Sequence, residues 1–309
     1  MKLKHLNYFL IFYSLIILPK DENKKIILIS IPKTGTWMLS KCIHLLSKRK
    51  NALHRFLKDG LFKNYSKLQY DFENVKDYKV PGNDIHFFTP SPEIFDKCLK
   101  STKENEYLIG HLIFNPIYKE LLNHHNYKII FLIRDPRDQL VSRVNYIYKK
   151  ANFFSGLQHI NFDDLLLSLI GSAQEKKINN ILSNHIQCKY KPTNEYISNI
   201  NQFYNFFLPW KNQKNCLLIK FEDLVGSKGN GRKENQIETI NKIANFIGIE
   251  ADEAKVNKVT KKLFGGTTTF AKGQIGSWKK NFNDNHKTAF KKVAGQLLIE
   301  LGYEKDLNW

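Results

Sequence analysis

The stretch Lys25-Ile-Ile-Leu-Ile-Ser-Ile-Pro-Lys-Thr-Gly-Thr-Trp37 decides the fold of this 309-residue chain. Its first part, Ile26 to Ile31, is apolar and mostly β-branched, which is typical of a strand buried on both faces of a parallel sheet. The segment from Pro32 to Gly35 interrupts that strand. From Thr36 onward apolar residues recur at helical spacing. The stretch therefore predicts a strand, a tight loop and a helix.

The loop between this strand and helix carries one lysine, Lys33, two threonine hydroxyls and several backbone N–H groups at a helix N-terminus. Backbone N–H groups and the helix dipole attract anions, so a loop of this kind is suited to holding a phosphate. A Walker A loop has a glycine, then four residues, then Gly-Lys-Ser or Gly-Lys-Thr. Here Lys33 precedes Gly35, which is the only glycine of the stretch, so this is not a Walker A loop. An ordinary turn with a solvated lysine is the alternative.

Composition and charge narrow the class of protein. The length suits one large α/β domain with a substantial core. An apolar fraction of 42% with 22 phenylalanines excludes a disordered chain. The formal net charge of +19 favours anionic partners, which could be a nucleotide, a sulfated or phosphorylated substrate, an acidic surface or nucleic acid. A general bias towards lysine, asparagine and isoleucine would account for much of the same charge.

The cysteines indicate a reducing compartment and no metal site. The sequence has four cysteines, and no two of them form a Cys-x-x-Cys motif. No cluster of histidines and cysteines has the spacing of a zinc site. Cys42 lies on the apolar face of the first helix, so we expect a buried free thiol there. Because the fold requires no disulfide, a cytoplasmic location is predicted.

Residues 1–24 form a separate N-terminal apolar segment. Residues 6–18 are apolar except for Asn7 and Ser14, and this pattern resembles a signal-peptide core or a short anchor. The run is short for a membrane span and is closed by Pro19. Association with a membrane through residues 6–18 and packing of the segment on the domain are both left open. We expect a single domain over residues 25–309.

Further along the chain, short apolar runs alternate with helical patterns. Strands are predicted at 107–109, 127–133 and 216–220, and helices follow the first loop and Arg134. Other helices are predicted from Ser91 and at 118–123, 162–170, 196–210, 235–247, 252–263 and 284–301. This alternation predicts an α/β fold with a central parallel β-sheet flanked by helices. Residues 51–78 are expected to cap the site, and Ser227 to Lys233 to form a solvated Gly/Lys loop.

Three basic residues each follow the end of a predicted strand: Lys33, His111 and Arg134. Ligands of parallel sheets bind beyond the carboxyl ends of the strands, so one cleft could gather all three. The segment 133–142 contains Arg134 at its second position and ends at Ser142 on the next helix. The guanidinium and the hydroxyl could hold one phosphate together. A surface turn with a solvated arginine is the alternative.

The histidine lies in Gly110-His-Leu112. A neutral imidazole can take a proton from a hydroxyl near neutral pH, which would make His111 a general base. The alternative is a structural or solvated histidine, since the chain contains ten.

These stretches, in this order, resemble the sulfotransferase family. Pro32-Lys-Thr-Gly-Thr36 is similar to the family's phosphosulfate-binding loop, usually Pro-Lys-Ser-Gly-Thr-Thr-Trp. Residues 133–142 are similar to its 3′-phosphate-binding segment. Ala271-Lys-Gly-Gln-Ile-Gly-Ser-Trp-Lys279 is similar to its C-terminal Arg-Lys-Gly-x-x-Gly-Asp-Trp-Lys. His111 matches the catalytic histidine position of the cytosolic-type members.

The resemblance implies a P-loop-NTPase-like sulfotransferase fold and an enzyme that uses 3′-phosphoadenosine 5′-phosphosulfate (PAPS). It would transfer the sulfuryl group to a hydroxyl or amine of a small-molecule or glycan acceptor, without a metal and without nucleic acid as a partner. Lys33 would stabilise the leaving group and His111 would be the general base. The implied PAPS-binding residues are Lys33, Thr34, Gly35, Thr36, Trp37, Arg134, Ser142, Lys272 and Gly273.

The chain departs from the family pattern at three positions. Trp37 stands where a second threonine is usual, and Gly110 stands where a lysine is common. Ala271 replaces an arginine, which removes a strong phosphate contact that Arg232 or a nearby lysine would have to replace. Some branches of the family use a glutamate as the base, which makes Glu106 a second candidate.

Two other classes remain as alternatives. A P-loop-like nucleotide kinase would share the fold, but the chain contains no Walker A loop and no identifiable magnesium ligand. A basic nucleic-acid-binding protein would account for the charge but not for the ordered motifs. Nothing in the sequence specifies the acceptor or the oligomeric state.

Overall fold

A computed structural model of the chain describes residues 25–52, 92–151, 161–171, 199–267 and 270–309, with the backbone alone for 147–151. The predicted N-terminal segment at 1–24, the helix cap at Ser91 and nearly all of the predicted cap at 51–78 lie outside these residues. None of the described helices is long and apolar enough to cross a membrane.

The core of the fold is a five-stranded sheet in which every neighbouring pair is parallel. Along the sheet the strands follow the order β2-β3-β1-β4-β5. The strands are β1 (Lys25–Ser30), β2 (Lys50–Asn51), β3 (Glu106–Gly110), β4 (Tyr127–Ile133) and β5 (Cys216–Lys220). The predicted fold class is confirmed.

Helices cover both faces of this sheet, and short 3₁₀ turns lie at Leu208–Asn212, Ser227–Gly229 and Ser277–Lys280. The helices before β5 are α1 (Thr36–Ser47), α2 (Pro92–Ser101), α3 (Pro116–His124), α4 (Pro136–Ala151), α5 (Phe162–Ile170) and α6 (Ile200–Asn205). Those after β5 are α7 (Phe221–Leu224), α8 (Lys233–Phe246), α9 (Glu253–Leu263) and α10 (Asp284–Glu300).

The side chains of β1 divide between two hydrophobic cores because successive residues of a strand point to opposite faces. Ile26 and Leu28 pack in the core that contains α1, α8 and α9. Ile27 and Ile29 pack in the core that contains α2 to α6 and α10. Cys42 is fully buried in the first of these cores as a free thiol, as predicted, and burial raises the pKa of this thiol to about 12.

Element prediction was accurate for the strands whose sequences are mostly apolar runs. The structure gives β4 and β5 the predicted bounds, and β1 is shifted by one residue. The sequence missed β2, since two residues at a sheet edge carry no periodic signal. The helix predicted at 196–210 is the six-residue α6 followed by a 3₁₀ turn that contains a proline.

The predicted loop from Ser227 to Lys233 is exposed over most of its length, as expected, but it is packed at one glycine. Gly229 is buried, and its carbonyl accepts a hydrogen bond from the Ile275 N–H at 2.9 Å. A Cβ at Gly229 would lie 2.5 Å from the Gly273 carbonyl oxygen. Glycine at this position therefore allows two backbones to approach closely.

A carboxylate ties the carboxyl ends of β4 and β5 to the C-terminal segment. Glu222, in the first turn of α7, accepts the backbone N–H of Asp135 at 2.9 Å and the Tyr303 hydroxyl at 3.0 Å. Removal of this carboxyl from water raises the pKa of Glu222 to about 7, and repulsion from Asp135 adds to the shift. Glu222 therefore keeps its proton in the folded protein over a pH range in which the unfolded chain loses it.

We expect this glutamate to make the folded state less stable as pH rises. We compare the free energies of unfolding of the wild type and of Glu222→Gln. The difference, wild type minus variant, should fall by about 3 kcal/mol between pH 4.5 and pH 7 and then level off. Urea unfolding at several pH values measures the difference. Glu234→Gln, which changes an exposed glutamate on α8, is the matched control. A wild-type-minus-Gln difference that stays constant over this range would mean that Glu222 is ionised throughout.

Candidate active site

The loop between β1 and α1 has a constrained backbone. Lys33 has φ 69 and Gly35 has φ 99, so both are in the left-handed region. A Cβ at Gly35 would lie 2.6 Å from a ring carbon of Phe221, the first residue of α7. Glycine is therefore required there both by the dihedral angle and by the aromatic ring below it. A lysine in the left-handed region is strained, and strain of this kind is concentrated at functional sites.

The two threonine hydroxyls of the loop are used within it. Thr34 is fully buried, and its hydroxyl donates to the Ile31 carbonyl at 2.6 Å. The hydroxyls of Thr36 and Ser30 are hydrogen-bonded at 2.8 Å. Both threonines therefore shape the loop through their side chains, and their backbone N–H groups are left as the predicted anion donors.

Helix α1 begins directly after this loop. The N–H groups of Met38 and Leu39 bond to the Gly35 carbonyl, as in an ordinary first turn. The N–H groups before them, of Thr36 and Trp37, are those that a helix N-terminus offers to an anion. The Trp37 side chain is half-buried at the second position of the helix.

Lys33 extends from the loop towards α4. Its Nζ lies 3.9 Å from the centroid of the Tyr146 ring, which is a short cation–π contact. Tyr146 follows Ser142 by one helical turn, and Ser142 is half-buried. The structure thus brings the lysine of the first motif against the helix that carries the serine of the second.

His111 follows the end of β3 and contacts the end of β1. Its Nδ1 lies 2.8 Å from the Ser30 carbonyl oxygen and 3.2 Å from the Ser30 hydroxyl. A carbonyl oxygen can only accept, so in the neutral ring the proton is on Nδ1 and the lone pair is on Nε2. This tautomer is the one that a general base acting through Nε2 requires.

The second candidate base lies at the opposite edge of the sheet. Glu106 is the first residue of β3, whereas His111 follows its last residue, so the length of the strand separates them by roughly 17 Å. A carboxylate oxygen of Glu106 accepts the Lys103 N–H at 3.0 Å. The structure therefore does not bring Glu106 to the site, because the two ends of a strand face different edges of the sheet.

Arg134 is buried at the end of β4 and is 7% exposed. Its guanidinium lies 4.4 Å from the Phe221 ring centroid, and one terminal nitrogen donates to the Gln274 carbonyl at 2.7 Å. The Tyr204 hydroxyl donates to the Arg134 carbonyl at 2.8 Å. Within the part of the chain that the structure describes, the buried Arg134 Nε has no hydrogen-bond partner. A buried donor of this kind calls for an acceptor, which here would come from a ligand.

The third motif is in contact with the second. The backbone carbonyl of Gln274 accepts the hydrogen bond from Arg134, and the Gln274 side chain donates to the Lys228 carbonyl at 3.0 Å. Gly273 has φ 60, and a Cβ there would lie 2.7 Å from the ring of Phe270. Its neighbours Ala271 and Lys272 are exposed. The backbone of this segment is therefore at the site, whereas the Lys272 side chain faces water in this structure.

Phe221 is the residue of the site that sequence reasoning missed. Its ring contacts Gly35 on one side and Arg134 on the other, which joins the first two motifs. It follows β5 directly, so the rule that identified Lys33, His111 and Arg134 would also have identified this position. An aromatic residue in that place gave no chemical reason to select it. Across the described residues, no group of three or more His, Cys, Asp or Glu side chains is arranged to hold a metal ion.

Comparison with known proteins identifies the family of this chain. The family model of the sulfotransferase domain matches residues 23–302. No curated protein matches the chain significantly. A mouse sulfotransferase complexed with PAP is similar in structure, with 17% identity, a TM-score of 0.53 and coverage of 89% of this chain and 85% of that one.

Retinol dehydratase in complex with androsterone and inactive cofactor PAP is also similar, with 14% identity, a TM-score of 0.51 and coverage of 89% and 80%. At these identities the structural likeness establishes the fold, and the family model establishes membership. The chain belongs to the sulfotransferase domain family.

Proposed function

We propose that this sulfotransferase takes the sulfuryl group from PAPS and transfers it to a hydroxyl or amine of a small-molecule or glycan acceptor. The observation that carries the proposal is the contact between His111 and Ser30, since it brings an imidazole next to the strand that leads into the loop we propose as the anion site. The structural neighbours are complexed with PAP, which is adenosine 3′,5′-bisphosphate, the product that remains when PAPS loses its sulfuryl group.

The residues of the site fit a ligand with two phosphate positions. The backbone N–H groups from Thr34 to Trp37 suit a 5′-phosphosulfate at the start of α1. Arg134 offers a buried donor without a partner in the described chain, which suits a 3′-phosphate. Ser142, Gly273 and Lys272 are further candidates for that phosphate.

Two side chains would carry the chemistry. His111 takes the proton of the acceptor hydroxyl on Nε2 as the acceptor oxygen bonds to sulfur. The bond between sulfur and the bridging oxygen breaks at the same time, and Lys33 stabilises the negative charge that develops on that oxygen. The Tyr146 ring holds the Lys33 ammonium group near the loop. As in phosphoryl transfer, the protein contributes mainly positioning and electrostatic stabilisation.

Nucleic acid is not expected as a partner, because Lys33, His111 and Arg134 each follow one of three adjacent parallel strands, an arrangement that suits a nucleotide. A cytoplasmic location and membrane association through residues 6–18 stay predictions, and those residues lie outside the described part of the chain. The division into an N-terminal segment at 1–24 and one domain at 25–309 also stays a prediction.

Ligand titration tests the proposed function. The protein should bind adenosine 3′,5′-bisphosphate saturably and ATP more weakly, since ATP carries no 3′-phosphate, and should show no saturable binding of an oligonucleotide at physiological salt. With labelled PAPS and a panel of phenols, alcohols and sugars, the wild type should transfer sulfate. Lys33→Ala should be slower by ~10²–10³-fold through loss of a charge-stabilising group. Tighter binding of ATP than of the bisphosphate would favour a kinase instead.

Arg134→Ala should selectively weaken recognition of the 3′-phosphate. Binding of adenosine 3′,5′-bisphosphate should lose ~2–4 kcal/mol, because a buried charged group would lose its partner, while binding of adenosine 5′-phosphate should hardly change. Calorimetry with the two ligands measures both values. Lys242→Ala, which removes a basic side chain of α8 that is 58% exposed and pairs with Glu238, is the control. Equal losses for the two ligands would place Arg134 away from the 3′-phosphate.

His111→Ala should affect transfer and spare the binding of adenosine 3′,5′-bisphosphate. Turnover on a weakly acidic alcohol should fall ~10²-fold or more, since proton removal would lack a base, with affinity for the bisphosphate within about twofold. The rise of the wild-type rate across the neutral pH range should disappear in the variant. His44→Ala, an exposed histidine of α1, is the control. Full turnover of His111→Ala on such an alcohol would show that another group is the base.

A further inference from the structure

Asp138, in the first turn of α4, is a buried carboxylate that contacts two separate parts of the site. It is 1% exposed. One of its oxygens accepts the Gly276 N–H at 2.8 Å, and the other accepts the Trp278 N–H at 2.9 Å. The oxygen that binds Gly276 also lies 3.6 Å from a terminal nitrogen of Arg134. One side chain therefore joins β4, α4 and a segment 138 residues further along the chain.

The two backbone contacts have the geometry of a helix cap supplied from outside. Gly276 has φ 75 and immediately precedes the 3₁₀ turn Ser277–Lys280. Its N–H and that of Trp278 are the donors that a helical turn leaves without internal partners at its start. An aspartate at the N-cap position would normally satisfy them, whereas here the carboxylate comes from α4. The start of this turn therefore depends on Asp138 for its placement.

The third contact concerns the orientation of Arg134. The guanidinium is held between the Phe221 ring, the Gln274 carbonyl and the Asp138 carboxylate. Its terminal nitrogen NH2 makes both polar contacts, and its Nε makes no hydrogen bond among the described residues. Asp138 thus engages the far end of the guanidinium and contributes to the direction in which Nε points.

A buried carboxylate is costly unless it is paired and fully hydrogen-bonded. Asp138 has two N–H donors and one nearby cation, which offset part of this cost, but burial still raises the pKa of its carboxyl. A neutral side chain could fill the same space at a lower desolvation cost. The use of a charge there is explained if one group has to fix both the arginine and the C-terminal segment in the same arrangement.

We propose that Asp138 is a positioning residue for 3′-phosphate recognition: it aligns Arg134 with segment 273–278, although it touches no ligand itself. The proposal rests on the proposed function, since it assumes that Arg134 and this segment face the 3′-phosphate of PAPS. Asp138, a residue behind the binding surface, would then help the protein to distinguish nucleotides that carry a 3′-phosphate from those that lack one.

The test is Asp138→Asn, which keeps the size of the side chain. An asparagine oxygen can accept one N–H, but its NH₂ group cannot accept the other, and it brings no charge to Arg134. The Kd for adenosine 3′,5′-bisphosphate should rise roughly tenfold, the change that one charge-assisted hydrogen bond carries. The Kd for adenosine 5′-phosphate should stay within about twofold. A merely structural role would weaken both ligands alike, and that outcome would overturn the proposal.

Asp252→Asn is the matched control. Asp252 is an exposed carboxylate that caps α9 by accepting the Lys255 N–H at 2.7 Å, so the same substitution removes the charge of a capping carboxylate away from the site. We expect this variant to bind both nucleotides as the wild type does. If it shifted the ratio of the two affinities as Asp138→Asn does, the effect would be general and the proposal would fail.

A double-mutant cycle tests whether Asp138 acts through Arg134. In an Arg134→Ala background, Asp138→Asn should change the ratio of the two affinities by much less than it does in the wild type. An undiminished change would overturn the proposal. A wild-type protein that binds neither nucleotide would instead refute the proposed function, so the two failures are distinguishable.

Hydrogen exchange provides a measurement that does not require the variant to fold. In the wild type, adenosine 3′,5′-bisphosphate should slow exchange of the Gly276 and Trp278 amides, because ligand binding stabilises the arrangement in which Asp138 holds them. Adenosine 5′-phosphate should leave these amides nearly unchanged. Equal slowing by both nucleotides, or no slowing by the bisphosphate, would overturn the proposal.

Discussion

Parallel pairing of β3, β1 and β4 is the constraint on which the site depends. Because neighbouring strands run in the same direction, their carboxyl ends lie at one edge of the sheet, and the residues that follow them are brought together. The chain passes from β1 to one side of the sheet and returns to add β4 on the other side. This change of direction opens the crevice in which the β1–α1 loop, His111 and Arg134 lie. The contact of His111 with Ser30 is a direct consequence of the β1–β3 pairing.

Behind that edge the structure contains a compact set of buried charges. Arg137 pairs with Asp135 at 2.7 Å and with Glu304 at 2.5 Å, and its guanidinium lies 4.0 Å from the Trp278 ring centroid and 4.5 Å from that of Trp309. Together with Glu222 and Asp138, these contacts hold the chain's C-terminal region against the β4–α4 turn. Buried ion pairs contribute little net stability, but they disfavour other arrangements of the same segments. Their effect here is a defined position for Arg134.

This arrangement also gives a physical meaning to the departures from the family pattern. Ala271 is exposed, so the arginine that is usual there would extend from a surface position beside Gly273. The backbone around Gly273 is nevertheless in place, because Gln274 and Ile275 are anchored to Arg134 and to the 227–229 turn. Among the described residues, no atom lies within 4 Å of a Cβ built at Gly110, so these residues leave room for a side chain next to His111. At Gly110 and Ala271 the departures remove side chains, whereas the backbone framework of the site is retained.

The sequence by itself determined the elements with one-dimensional signals. Strands β4 and β5 were predicted with their exact bounds because each is a mostly apolar run, and Lys33, His111 and Arg134 were identified because each follows a strand. Only the tertiary structure decided which groups meet. It showed that the hydroxyls of Thr34 and Thr36 bond within the loop, that Gly229 is buried, that Phe221 joins two motifs, and that Asp138 reaches Gly276 and Trp278. The physical reason is that a hydrogen-bond partner far away in the chain is chosen by the packing of the whole sheet, and no local pattern records it.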